Sequence, residues 1–145
     1  MAYKGFDYAT YPGDTFMQNW WSGTPFYVAG FYLAPAPEHS DTSYMEKKTT
    51  MENIGWGLIP TYVGRQDWDK YKTPVNQLTE SNGRTDAQAA ATLARNAGFS
   101  ESGTILYLDI EAGTGLSDNF KNYVNGWVQE LFSNTTEFWP GIYCH

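Results

Sequence analysis

The strongest constraint on the fold is the regular alternation of strand-like apolar runs with helix-like segments along the whole chain. Five such runs read YKGFDYA from Tyr3, FYVAGFYL from Phe26, GWGLIPTYV from Gly55, GTILYLDIE from Gly103 and FWPGIYC from Phe138. Antiparallel neighbours need no helix between them, whereas parallel strands need a crossover connection. The alternation therefore predicts an α/β fold built on a parallel sheet.

Two α/β architectures begin in this way, the doubly wound sheet and the (β/α)8 TIM barrel. The segment TYPGDTF after the first run has no Gly-rich phosphate loop, which weakens the nucleotide-binding doubly wound form. A complete barrel takes about 250 residues, and this sequence has 145. We therefore predict one domain over residues 1–145, an incomplete N-terminal part of a TIM-type barrel with about five strands and four helices. The remaining strands, about three, would come from a second chain or self-association, or lie outside this sequence.

Helix signals occupy the gaps between the apolar runs. In TDAQAAATLARNAGF, Thr85 and Gln88 fit a capping box, and Gly98 stands where a helix end favours a left-handed residue. The other predicted helices are a short one after Gly13, one capped by Ser43 and Glu46 that runs toward Asn53, and one from Ser117 to Ser133. The connection from Gly64 to Gly83 is predicted to be a long loop, and loops of this length are typical of lids or binding loops.

Two carboxylates end the fourth apolar run, in the stretch ILYLDIEAG. Residues two apart in a strand share a face, so Asp109 and Glu111 point one way and the apolar Leu108 and Ile110 point the other. With a rise of about 3.3 Å per residue, the Cα atoms of the two acids lie about 6.6 Å apart. The first run places Asp7 on the corresponding face. We expect the three acids to meet at the carboxyl-terminal edge of the sheet, where parallel sheets bind ligands.

Closely spaced acids can divide the work of glycosidic bond cleavage. Mutual repulsion raises the pKa of one carboxyl group, which can then protonate the leaving oxygen while another stabilises or attacks the anomeric centre. The same acids with backbone oxygens could instead hold a divalent metal. A metal-assisted phosphodiesterase would be expected to carry histidines at strand ends, and the only two are His39 and His145.

The bulk composition excludes some classes of partner. The net charge is -7 and the nine Lys and Arg are scattered, which argues against nucleic acid. No apolar run approaches the roughly 20 residues of a membrane helix, and the opening MAYKGFDYAT lacks the apolar core of a signal peptide. Aromatic residues make up 17% of the chain, a composition that also suits sugar sites.

Several aromatic residues are candidates for such contacts. Tyr32 and Tyr62 end the second and third runs and are expected on the inward face, where a core role and a sugar contact are both open. Trp68 opens the long loop and could serve as a stacking platform.

Motifs along the whole chain resemble the glycoside hydrolase-like domain once catalogued as a domain of unknown function, which is related to the family-25 muramidases. The matching motifs are GFDYATYPGD, VAGFYLAPAPEH, GWGLIPTYVGRQ, TDAQAAATLARNAGF, TILYLDIE and WPGIYC. The resemblance implies a (β/α) barrel that acts on glycan. It also implies a secreted or cell-surface location.

The resemblance also assigns roles to individual residues. Glu111 would be the general acid, Asp109 would steady the substrate's 2-acetamido group or positive centre, and Asp7 would support them electrostatically. Tyr143 would line the sugar site, and Gln66, which matches the family pattern, would be a polar contact. Two departures are that an acid from a last strand is absent and that the first strand reads D-Y-A where the muramidases have D-V-S.

Three functional hypotheses follow. The first is a glycoside hydrolase-like enzyme that cleaves an N-acetylhexosamine-containing polymer of cell-wall type without metal or organic cofactor. The second is a non-catalytic carbohydrate-binding barrel that retains the cleft. The third is an interaction protein whose acidic rim holds a cation.

Overall fold

The computed structural model describes residues 3–67, 73–111 and 115–144, and these form a single parallel sheet with helices. The strands are β1 (Gly5–Phe6), β2 (Val28–Tyr32), β3 (Gly57–Tyr62), β4 (Thr104–Ile110) and β5 (Phe138–Cys144), and the helices are α1 (Asp14–Gly23), α2 (Lys48–Ile54), α3 (Glu80–Asn96) and α4 (Asp118–Asn134). A short 3-10 turn, Val75–Gln77, precedes α3. The strands follow chain order in the sheet, and each neighbouring pair is parallel. Over the described ranges, the predicted α/β fold with five parallel strands and four helices is confirmed.

The sheet is strongly curved. In a flat sheet, the first and fifth strands would lie about 19 Å apart, which is four spacings of about 4.8 Å. Tyr143 on β5 nevertheless donates a hydrogen bond to Asp7, the residue that follows β1, with 3.2 Å between Oη and Oδ1. The two edge strands therefore approach each other across a concave inner face. In the described part of the chain β1 pairs only with β2 and β5 only with β4, so the sheet is open.

The helices cover the convex outer face of the sheet. Phe31, Leu106 and Leu108 on that face are completely buried. Aromatic contacts join the two layers, among them Phe31 with Phe99 after α3, at 5.1 Å between ring centroids. The hydrophobic core therefore lies between sheet and helices, and the inner face is left for polar side chains. No helix in the described residues is both long and apolar enough to cross a bilayer.

Helices α3 and α4 pack closely because each carries a glycine at their contact. A Cβ atom on Gly83 would collide with the carbonyl oxygen of Tyr123, and one on Gly126 would collide with that of Glu80. A glycine inside a helix costs about 1 kcal/mol relative to alanine. The protein bears this cost here because the backbones of α3 and α4 come too close together for any larger residue.

The same packing explains why α3 begins earlier than the sequence predicts. The capping box at Thr85 and Gln88 is wrong, because the helix starts at Glu80 and Thr79 is its N-cap. The Thr79 hydroxyl accepts a hydrogen bond of 3.1 Å from the Asn82 backbone N–H. The predicted loop from Gly64 ends at Gly83, although Gly83 lies inside the helix. The predicted long loop is correspondingly shorter.

Helix α2 also differs from its prediction. It begins at Lys48, so Ser43 and Glu46 do not cap it. The Ser43 hydroxyl instead accepts a hydrogen bond of 2.8 Å from the Tyr11 backbone N–H, which ties the connection after β2 to that after β1. Ser43 and Glu46 have the spacing of a capping box, but the Ser43 hydroxyl joins two connections at the same edge of the sheet and caps no helix.

Candidate functional site

Asp7 is placed on the inner face by the short first strand. Its neighbour Phe6 faces the helices and packs edge-on against Trp20, with 4.7 Å between ring centroids. Alternation then turns Asp7 inward. Gly30 on the adjacent strand leaves the necessary room, because a Cβ there would lie 2.9 Å from the Asp7 Cβ.

Two tyrosine hydroxyls hold the Asp7 carboxylate. Tyr32 donates to Oδ2 at 2.7 Å, and Tyr143 donates to Oδ1 at 3.2 Å. Burial raises the pKa of Tyr32 well above its ordinary value, and the hydrogen bond to Asp7 and the negative charges of Asp7 and Asp109 raise it further. Both hydroxyls thus remain protonated donors at neutral pH, and one carboxylate oxygen is assigned to each.

Asp109 lies on the same face, opposite Tyr143 in the pairing of β4 with β5. Its flanking residues Leu108 and Ile110 are in the hydrophobic core, so Asp109 must point inward. Only 2% of Asp109 is exposed to solvent. The acid therefore belongs to the floor of the inner face, while Asp7 is exposed at its rim.

Tyr143 senses all three acids that the sequence singled out. Burial raises the pKa of its hydroxyl first, followed by the charge and hydrogen bond of Asp7 and then by the charges of Asp109 and Glu111. Asp7 bonds the Tyr143 hydroxyl, Asp109 lies opposite Tyr143 in the pairing of β4 with β5, and Glu111 follows two residues later on the same face. Of the three acids, Asp7 is exposed, Glu111 is partly exposed and Asp109 is buried.

A hollow of about 240 Å³ opens on the inner face, and of the three acids Asp7 lines it, whereas Asp109 and Glu111 are not among its wall residues. Its wall includes Asp7, Tyr32 and Tyr143, together with Thr61 of β3. The ring of Tyr3 and the small side of Gly30 contribute apolar surface. A hollow with a few hydroxyl and carboxylate groups on an apolar wall can accommodate a sugar ring.

The inward orientation predicted for Tyr62 is wrong. Tyr62 pairs with Leu108, an outer-face residue, and its ring stacks on Trp127 of α4 at 5.2 Å. Only 2% of Tyr62 is exposed, so it packs in the core and does not line the hollow. The inward residue at the end of β3 is Thr61, which the sequence analysis missed. Thr61 shares its face with Ile59, another wall residue, but the run by itself does not show which of its two faces is the inner one.

Gln66, which the resemblance implies as a polar contact, lies inside the protein. The residue is completely buried, and its side-chain amide donates 2.7 Å to the Asp109 carbonyl oxygen. Its Oε1 accepts a hydrogen bond of 3.1 Å from the Glu111 backbone N–H. Gln66 therefore contacts the main chain of the D-x-E segment and has no surface for a substrate. Trp68, the predicted stacking platform, lies outside the described residues.

Asp7 and Glu111 are not neutralised by basic residues in the described ranges. The ion pairs found there use other acids, for example Arg65 with Asp86 and Arg95 with Glu137. Within the same ranges, no three His, Cys, Asp or Glu side chains are grouped as a metal site. Asp7, the acid on the wall of the hollow, is thus exposed to a polar ligand from the concave side.

Comparison with known proteins supplies a family for this arrangement. A family model described as "Rv2525c-like, glycoside hydrolase-like domain" matches residues 18–145. The resemblance drawn from the sequence motifs is thereby confirmed. No curated protein matches the chain.

One solved structure is similar over nearly the whole chain. It is the crystal structure of an uncharacterized B. stearothermophilus protein, with 22% sequence identity and a TM-score of 0.74. The match covers 99% of this chain and 61% of that one, so the chain spans about three-fifths of the other protein's length. The likeness shows a shared fold.

Proposed function

Because this chain belongs to the Rv2525c-like, glycoside hydrolase-like domain family, we propose that it cleaves a glycan through carboxylate acid/base catalysis. The proposed substrate is a cell-wall type polymer that contains N-acetylhexosamine. The observation that supports the proposal is the bond from Tyr143 to Asp7 on the wall of the hollow, with Asp109 opposite Tyr143 in the β4–β5 pairing. We further propose a secreted or cell-surface location.

The environments of the three acids support different roles. Glu111 is the partly exposed acid at the end of β4, which suits a proton donor to the leaving oxygen. Asp109 is nearly inaccessible and suits orientation of a substrate group or stabilisation of positive charge from below. Asp7, with both oxygens engaged by tyrosine hydroxyls, suits a fixed negative charge at the rim. The chemistry needs no cofactor.

The architecture supports a barrel as the complete form of this site. The sheet is curved enough for a side chain of β5 to reach the residue after β1, as strands on opposite sides of a barrel can. We propose a TIM-type barrel in which further strands join the open edges of β1 and β5. Those strands would come from a second chain, including another copy of this one, or from residues outside this sequence.

The proposal is tested by assaying the full-length protein on peptidoglycan and chitin oligomers, with Glu111→Gln as the variant. Loss of a general acid lowers turnover by about 100- to 10,000-fold. Tyr62→Phe is the matched control, because that ring lies under α4 and should leave turnover unchanged. Equal turnover by the wild type and Glu111→Gln would remove Glu111 as the acid.

The second candidate is a carbohydrate-binding barrel that does not cut its ligand. The burial of Asp109 favours it, since a floor residue with 2% exposure has little access to a reacting centre. In that case sugars bind without cleavage, and Trp68→Ala weakens binding more than Glu111→Gln does. Isothermal titration with chitin oligomers distinguishes the two, because a catalytic site predicts product and a binding site predicts only heat of association.

A further inference from the structure

The ladder between β3 and β4 stops before the candidate site. The paired residues are Thr61 with Tyr107 and Tyr62 with Leu108, and the chain after β3 then turns at Gly64, where the Gly64 N–H bonds the Tyr62 carbonyl. Strand β4 continues for two more residues beside β5. On the β3 side, the pairing ends at Leu108, so among the described residues no strand of the sheet runs beside the Asp109 carbonyl and the Glu111 N–H.

The side chain of Gln66 occupies the place of that missing strand. In a parallel ladder, one residue of the neighbouring strand donates its N–H to the carbonyl before a given residue and accepts at its own carbonyl from the N–H after it. The Gln66 carboxamide does both around Ile110, with Nε2 at 2.7 Å from the Asp109 oxygen and Oε1 at 3.1 Å from the Glu111 nitrogen. One amide side chain thus extends the sheet by one pair.

The orientation of this amide is fixed by further contacts. Nε2 also donates to the Gly64 carbonyl at 3.2 Å, so its N–H groups are directed at two acceptors. The Gln66 backbone N–H donates to the Thr73 hydroxyl at 3.1 Å, and that hydroxyl donates to Glu38 at 3.2 Å. Because Gln66 is completely buried, water cannot take over its bonds to the D-x-E segment.

We propose that Gln66 is a positioning residue that holds Glu111 in line with Asp109 by acting as a substitute for a strand. The inference rests on the proposed function, since it gives Gln66 its role through the acid Glu111. The pairing of β4 with β5 ends at Ile110, so the bond to Gln66 is what fixes the Glu111 backbone N–H. Without this contact, the Glu111 side chain would be directed less firmly to the inner face.

Two variants separate the hydrogen bonds from the volume of the side chain. Gln66→Met keeps the size and removes both bonds. Gln66→Glu can still accept from the Glu111 N–H, but it donates to the Asp109 carbonyl only while protonated. The neighbouring acids Glu38, Asp109 and Glu111 and the burial of the site all favour that protonated form. Gln66→Glu should therefore resemble wild type at low pH and fail as the pH rises.

Two readouts are measured in parallel on the full-length protein. One is the hydrogen exchange of the Glu111 amide by NMR, which reports the Oε1 contact whether or not a substrate is cut. The other is glycan turnover as a function of pH. Gln88→Met is the matched control, because the Gln88 amide bonds Glu130 between α3 and α4, away from the hollow.

We expect Gln66→Met to speed Glu111 exchange about tenfold or more and to lower turnover about 10- to 100-fold, with Gln88→Met unchanged in both. For Gln66→Glu, turnover relative to wild type should fall with rising pH. The inference is overturned if Gln66→Met leaves Glu111 exchange at the wild-type rate. It is equally overturned if Gln66→Glu and Gln66→Met lose the same turnover at every pH.

The proposed function can fail separately. A wild-type protein that cuts none of the glycans rejects that function, and Glu111 exchange then still decides whether Gln66 holds this segment. Should Gln66→Met fold poorly, which thermal melting reports, the pH series of Gln66→Glu decides by comparison with its own low-pH form.

Discussion

Replacing Gly30 by alanine adds one methyl group directly against the proposed site. The new Cβ would lie 2.9 Å from the Asp7 Cβ and 3.3 Å from its Cα. Non-bonded carbon atoms prefer about 3.5 to 4.0 Å, so Asp7 must move by about 0.6 to 1 Å. The Asp7 carboxylate is held at 2.7 Å by Tyr32 and 3.2 Å by Tyr143, and a shift of that size breaks at least one of these bonds.

The cost follows from two opposing effects. Overpacking destabilises by about 1 to 3 kcal/mol, while alanine recovers about 0.5 to 1 kcal/mol of the entropy that glycine loses on folding. The free energy of unfolding of Gly30→Ala should therefore fall by about 1 to 2 kcal/mol, or about 3 to 8 °C in melting temperature for a chain of this size. Turnover should fall more steeply, by about 100-fold, because a misplacement near 1 Å is expensive for a catalytic group.

The assay is thermal melting together with glycan turnover, and Gly57→Ala is the control. Gly57 also lies on the inner face, but a Cβ there would meet Val28 Cγ1 at 3.0 Å, a side-chain atom that can move. Gly57→Ala should stay within about 1 kcal/mol of wild type and keep its turnover. If Gly30→Ala melted and turned over like Gly57→Ala, the close approach of Asp7 to Gly30 would not matter and the reasoning about the rim would fail.

Two further predictions concern stability. Hydrogen bonds from Arg95 hold the pKa of Glu137 at about 2, below its ordinary 4.5, so the stabilisation is complete above about pH 4.5 and disappears as the pH falls toward 2. Glu137→Gln should lower the melting temperature near neutral pH but not near pH 2, and an equal loss at both would contradict this. Gly83→Ala should cost about 1 to 3 kcal/mol against the Tyr123 carbonyl. Gly23→Ala has nothing within 4 Å and should be neutral or stabilising by up to about 1 kcal/mol in the same melts.

The order of strands and helices could be predicted from the sequence, because the alternation of apolar runs with helical segments does not depend on tertiary contacts. Runs of strand length separated by helical segments require parallel crossovers, and this logic needs no contacts. Helix ends could not be predicted as well. Gly83 reads as a loop residue until its contact with Tyr123 is known, and Ser43 reads as a cap until its contact with Tyr11 is known. Both errors come from tertiary contacts that override local preference.

The candidate site shows the same division. The inward face of β4 was predictable, because Leu108 and Ile110 could only belong to the core. On β3, the last two residues are Thr61 and Tyr62, and an aromatic residue at a strand end looked suited to sugar. Only the pairing with Tyr107 and Leu108 shows which of them faces inward. Register is a property of two strands together, and one run read alone leaves it open.

Two of the three acids lie next to a feature that carries no chemistry and adds little to the core. Asp7 occupies the room left by the missing side chain of Gly30, and the Glu111 backbone N–H bonds the buried amide of Gln66. A glycine inside a strand weakens it, and a polar group taken out of water costs free energy that its hydrogen bonds only offset. The glycine and the buried amide each carry such a cost, and both lie next to the three carboxylates. Residues that break local stability rules are expected at functional sites, so this pairing favours a functional role for the acids.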